Sequence, residues 1–210
     1  LLSEIEQWAG GCLAGHDPAH DLAHVRRVVA NTHNILNGEP EADRFVTLAA
    51  AWLHDIVQLP KGTGAPGESA RRSASEASTY LETLGIDAGL IARIADAVAT
   101  HSFSGGLRPA SIEAAIVQDA DRLDALGAVG IARLWATAAV LGSQLHHPDD
   151  PAGEARELAD REYGLDHIPV KLLKLPGLMN TATGKRIAAD RAAYVLEHYN
   201  RFLAELRGEA

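Results

Sequence analysis

The chain holds a single cysteine, Cys12, so no disulfide can form within it, and that scarcity fits a reducing cytoplasm. Aromatic residues make up only 5% of its 210 residues, which leaves a core to be built from alanine, leucine, isoleucine and valine. Positive charge is in deficit: 19 Lys and Arg stand against 28 Asp and Glu, for a net charge of −9. That balance argues against broad binding to nucleic acid or anionic lipid, both of which need a surplus of cations. No apolar run approaches the roughly 18 residues of a membrane span, and the start LLSEIEQWAG lacks the basic and apolar regions of a signal peptide. A cytoplasmic location is therefore expected. Alternating β-branched runs with hairpin turns, internal repeats and low-complexity tracts are also missing.

Helical periodicity and helix punctuation run along the whole length, so the expected fold is all-α, a single domain of about eight to ten helices. Ser3 and Glu6 have capping-box spacing and open a short first helix. A second helix spans about 19–36, with Val25, Val28, Val29, Thr32, Ile35 and Leu36 on its apolar side, and Asn37-Gly38 ends it. The third, about 41–58, is apolar nearly all round and reads as a central helix stopped by Pro60. Gly-rich loops cover 61–67 and 102–109, with helices at 69–84, 87–100 and 111–126 around them. A break at Gly127 and Gly130 precedes a helix to about 141. A polar excursion over 146–153 leads to short helices near 154–162 and 167–175 and a long one from about Thr183 to Leu206. The core is expected over 20–141, with the helices of 154–207 packed on it.

Within the stretch AAAWLHDIV an unbroken apolar run ends in His54-Asp55, expected to lie inside the central helix. A buried carboxylate without a partner costs several kcal/mol, so the pair must be bonded, either to each other and a helix end or to something else. His24 stands beside the apolar stripe of the second helix, with His20 a turn earlier. The helix beginning at Ser111 carries Asp119, Asp121 and Asp124 in an otherwise apolar stretch, with only Arg122 as a local counter-charge. A divalent cation would resolve these oddities together, and the mixed N/O set suits Mn, Fe, Co, Ni or Zn more than Ca.

HVRRV at 24–28, LHD at 53–55 and ADRL at 120–123 resemble the H…HD…D signature of the HD-domain phosphohydrolase superfamily. The likeness is closer to one bacterial branch of HD hydrolases, in HDLAHVRRV, LHDIVQLPK, QDADRLDALGAVGIAR and KLLKLPGLMNTATGKRIAADR, which together span about 20–191. The resemblance implies an all-α HD fold, one divalent metal ion (Mn, Co, Ni, Fe, Zn or Mg) and hydrolysis of phosphoesters or phosphoanhydrides. It assigns His24, His54, Asp55 and Asp121 as ligands. Helical periodicity by itself favours Asp119 over Asp121, and whichever is not the ligand is expected to orient a histidine or the attacking water. Relatives with two metals place additional histidines between the HD pair and the last Asp, whereas here the interval holds only His101.

A divalent cation lowers the pKa of a coordinated water from ~16 to near ~7 and neutralises a phosphoryl oxygen. Asp55, Lys61, His101 and Asp119 are thus the candidate catalytic groups, His101 as a general acid, a phosphate contact or a helix cap. Lys61, Arg71, Arg72, Lys171 and Arg186 are candidate phosphate donors, although each is also explained as a solvated surface cation. Thr183 and Gly184, at a helix N-terminus, offer further N–H groups to an anion. The expected partner is a small phosphorylated substrate such as a nucleotide. Rival readings are a regulatory domain that binds metal and nucleotide without turnover, and a di-iron HD-type oxygenase, against which the missing histidines count.

Overall fold

The computed structural model describes residues 1–14, 21–59, 65–102 and 105–209. Among these, the fold is all-α: helices α1 (Leu2–Cys12), α2 (Leu22–Leu36), α3 (Arg44–Leu53), α4 (Glu68–Thr83), α5 (Ala88–Thr100), α6 (Ile112–Asp124), α7 (Gly127–Leu141), α8 (His167–Val170) and α9 (Ala182–Leu206), with short 3-10 turns beside α8. The only extended pairing in this set is an isolated bridge between Gln144 and Tyr163. Among the described residues, no single helix is long and apolar enough to cross a membrane.

The chain divides into two compact units. The first comprises Leu1–Arg122 and Asn180–Gly184, the second Leu123–Met179 and Lys185–Ala210. In the first, every residue of α3 from Val46 to Leu53 is buried. This is the central helix expected from its all-round apolar sequence, and α1, α2, α4 and α5 pack against it. Its start is fixed by Asp43, whose carboxylate accepts from the N–H groups of Phe45 and Val46. Arg93 of α5 bonds both Asp43 and Glu113, tying the starts of α3 and α6 to the middle of α5. Gly67 precedes α4 at φ +73°, and a Cβ there would meet Gly105 at 3.1 Å, so the two glycine-rich loops touch backbone to backbone.

In the second unit Trp135 of α7 stacks on Phe202 of α9, with centroids 5.5 Å apart. Arg133 pairs with the buried Asp124 at 2.7 Å, and Arg191 donates to the Leu123 carbonyl.

Three expected elements differ. The first helix starts at Leu2 with Leu1 as its N-cap, so Ser3 and Glu6 lie inside it and form no capping box. Residues 154–162 are irregular rather than helical. The fork of Arg156 grips both oxygens of Asp166 at 2.6 and 2.7 Å, Ala159 donates to that carboxylate, and Asp150 takes the N–H groups of Glu154 and Ala155. The third difference, the end of α3, makes the site.

Candidate metal centre

The helix expected to run to 58 ends at Leu53, so His54 is its C-cap and Asp55 lies beyond it. Helix ends leave backbone groups that need partners, and here neighbours supply them. His54 Nδ1 donates to the Ala51 carbonyl at 2.8 Å. Val57 N–H donates to Ser73 Oγ and Leu59 N–H to Ser69 Oγ, both on α4. The chain therefore turns before Pro60 is reached, and the turn lets Asp55 face its neighbours. Helix α5 ends in the same way: His101 is its C-cap, and its Nδ1 donates to Val98 O at 2.7 Å. Asp21 opens α2 by accepting from His24 N–H, which sets His24 in the first turn with its side chain fully buried.

These termini bring one set of side chains together. His24 Nε2 lies 3.5 Å from Asp121 Oδ1, 3.6 Å from Asp55 Oδ2 and 3.3 Å from His54 Nε2. His54 Nε2 is 3.7 Å from Asp55 Oδ2, and His101 Nε2 is 3.4 Å from Asp55 Oδ1. Metal–ligand bonds of ~2.0–2.2 Å separate neighbouring donor atoms by ~3.0–3.6 Å, so these spacings fit donors around one ion. The protonation pattern fits as well. A carbonyl only accepts, so the bonds to Ala51 and Val98 put the protons of His54 and His101 on Nδ1 and leave Nε2 facing the cluster, the usual orientation of a ligating histidine. Two overlapping groups could hold an ion, His24, His54 and Asp121, or His54, Asp55 and His101. Both need His54, which has one nitrogen to offer.

Burial takes the His54 imidazole down to about 4, and the opposing pull of Asp55 does not restore it, so this ring is neutral at pH 7. Burial by itself would raise Asp55. The imidazoles of His54, His101 and His24 outweigh that and hold the carboxyl well below its ordinary range. Asp121 is likewise held low against burial by His24, His54 and His101. For His101 burial pulls downward, but Asp55 and Asp121 win and raise it above the ordinary histidine value.

Asp119 points elsewhere. Its buried carboxylate accepts from Asn180 N–H and Nδ2 and from Thr181 N–H and Oγ1, at 2.8–3.1 Å. The α9 N-terminus, expected to offer N–H groups to an external anion, thus already holds the Asp119 carboxylate, and Thr181 Oγ1 accepts from Gly184 N–H. Arg71 and Arg72 are exposed near the start of α4, with Arg71 donating to Pro66 O. Lys171 and Arg186 belong to the second unit. Lys61 and His20 lie outside the described residues.

Sequence reasoning missed the amides around α6. Gln118 Nε2 donates to Thr100 O and Leu107 O, and Asn31 Nδ2 of α2 donates to Ala120 O. Three consecutive α6 residues, 118 to 120, are therefore tied to three different segments just before Asp121. A polar Gln118 inside the apolar face of α6 was the available signal.

Helix ends that gather three imidazoles and two carboxylates make a centre that could hold a metal ion within an α-helical domain. The chain matches the HD domain family over residues 21–126 and belongs to that family. It is 32% identical over 211 residues to YpgQ, an uncharacterized protein of Bacillus subtilis (strain 168), covering 98% of this chain and 93% of that protein. The crystal structure of Bacillus subtilis YpgQ in complex with ADP is similar with a TM-score of 0.74, over 98% of this chain and 97% of that one. An HD-superfamily hydrolase from Bacillus thuringiensis, 30% identical, gives 0.75 over 98% and 96%. A predicted HD superfamily hydrolase from an uncultured Thermotogales bacterium is 31% identical and gives 0.66 over 97% and 92%. In general terms, the fold is that of a metal-dependent phosphohydrolase.

Proposed function

We propose that this protein hydrolyses a phosphoanhydride or phosphoester of a nucleotide, using one divalent ion held by His24, His54, Asp55 and Asp121. The observation that carries the reading is the approach of His24 Nε2 to Asp121, Asp55 and His54 at 3.3–3.6 Å, with His54 Nε2 3.7 Å from Asp55 and both histidines buried. A bound divalent ion would lower the pKa of water and neutralise phosphoryl charge. Neutral His54 offers a lone pair through Nε2, while ionised Asp55 and Asp121 supply the negative charge that retains a cation. A single ion is supported by His54, which both candidate groups need and whose Nδ1 is committed to Ala51 O. His101, whose Nε2 lies 3.4 Å from Asp55 Oδ1, is the group we assign to hand a proton to a departing phosphate oxygen. Of the expected cations, Lys61, Arg71 and Arg72 are the ones we assign to the phosphate chain. A nucleotide substrate is supported by similarity to YpgQ, whose structure was solved with ADP.

The test is metal analysis by mass spectrometry together with phosphate and pyrophosphate release from a nucleotide panel in Mn, Co, Ni and Mg. One ion per chain and release from at least one nucleotide are expected. Nucleotide binding without release under any metal overturns the hydrolase reading. Asp55→Ala is expected to lose both the ion and turnover, and full activity in that variant would place the site elsewhere.

A further inference from the structure

Asn180 has no donor atom in the cluster, yet its side chain sits at a junction. Asn180 Nδ2 donates to Asp119 Oδ1 and to Gln118 Oε1, both at 2.9 Å. An amide NH2 can only donate, so the atom of Gln118 that faces it must be the oxygen. That choice turns Gln118 Nε2 toward two carbonyls, Thr100 O at 2.8 Å and Leu107 O at 3.1 Å. Thr100 is the last residue of α5, and its carbonyl is one of those that a helix C-terminus leaves unbonded. The next residue is His101, which satisfies a second such carbonyl, that of Val98, and turns Nε2 to Asp55. Gln118 is almost fully buried, so an amide turned the other way would set its oxygen against both carbonyls.

We infer that Asn180 is a positioning residue for His101, acting through the amide orientation of Gln118 and the carbonyl of Thr100. Its backbone N–H and Nδ2 both reach the Asp119 carboxylate, which fixes the Asn180 side chain in turn. Asp119, Asn180 and Gln118 thus form one relay from the residues preceding Asp121 to the last turn of α5. The description as positioning for a reaction rests on the hydrolase reading above. The geometric claim does not.

Two measurements separate these claims. In the metal-free protein, the His101 ring nitrogens are observed by 15N NMR in the parent, Asn180→Ala, Gln118→Met and the double variant. Both single variants are expected to shift or broaden the His101 signals, and the double to look like Gln118→Met alone, because a residue acting through another adds nothing once its intermediary is gone. Under turnover, Asn180→Ala is expected to lower kcat about tenfold with KM and Mn affinity by calorimetry within about twofold of the parent, as misplacement of a group without loss of ligands would do. Unchanged His101 signals in Asn180→Ala overturn the inference, as do additive effects in the double variant. If the parent turns over no nucleotide, the hydrolase reading fails while the NMR comparison still decides the role of Asn180. A general loss of packing would lower the melting temperature without singling out His101, and that outcome also refutes the proposal.

Discussion

Replacing Asp119 by Asn changes one oxygen to NH2 at a site with no exposure to solvent. Oδ1 accepts from Asn180 N–H and Nδ2, and Oδ2 from Thr181 N–H and Oγ1, so whichever oxygen is lost, two donors face a donor. The Thr181 oxygen already accepts from Gly184 N–H and has one lone pair left, so it could accept from the new NH2 only by turning its own proton to another acceptor. Each buried donor left without an acceptor costs about 1–3 kcal/mol, so the substitution is expected to destabilise the fold by about 4 kcal/mol. In a protein of this size that lowers the melting temperature by about 8–16 °C, a large part of ordinary stability. The assay is urea unfolding followed by circular dichroism, with the slope compared to exclude a change in the unfolded state. Asp121→Asn is the contrast: its side chain is 23% exposed and faces His24, so its unfolding midpoint should move by no more than about 1 kcal/mol while metal binding is lost. If Asp119→Asn costs less than about 1 kcal/mol, or costs no more than Asp121→Asn, the division of labour between the two carboxylates is wrong.

Gly184→Ala brings a Cβ to 2.5 Å from Asp119 Oδ2 and 2.7 Å from Thr181 Oγ1, so it should destabilise by about 1–3 kcal/mol, read as a lowered melting temperature. Acid should loosen the 150–166 segment. Burial raises the Asp166 carboxyl, but the Arg156 fork and Ala159 N–H outweigh it and leave the folded value depressed. Its contribution is thus complete above the unfolded value of about 3.9 and is lost as pH falls through the lower folded one. Protection of amides in this segment against exchange should fall as pH drops below about 4 in the parent, and should already be low at pH 6 in Arg156→Met.

The elements whose signals are local were legible. Asp87 and Ser111 cap their helices as their positions suggest, and the apolar run of α3 does form the buried helix. The end of α3 was not legible, because what stops it is Ser69 and Ser73 taking the N–H groups of Leu59 and Val57 from another helix, rather than Pro60. Likewise 154–162 has a helix-forming composition, but Asp166 claims Arg156 and Ala159 N–H first. For the candidate site, the His54-Asp55 pair stood out as polar groups at the end of an apolar run. Between Asp121 and Asp119, helical periodicity by itself favoured Asp119. What separates them is contact with His24 on one side and with Asn180 and Thr181 on the other, and neither contact has a signature in the spacing along α6.

The five residues Asn180–Gly184 belong to the first unit although the chain on both sides of them belongs to the second. The first unit is therefore not a continuous piece of polypeptide. A fragment cut after Arg122 would keep all four proposed ligands and lose Asn180 and Thr181, which donate four hydrogen bonds to the buried Asp119 carboxylate. The family match, which stops at residue 126, likewise encompasses the ligands and omits the residues that donate to their neighbour Asp119. In gene-level terms, the smallest heritable module that can carry this centre extends at least to Gly184, and a graft or recombination joint placed at the family boundary would sever it.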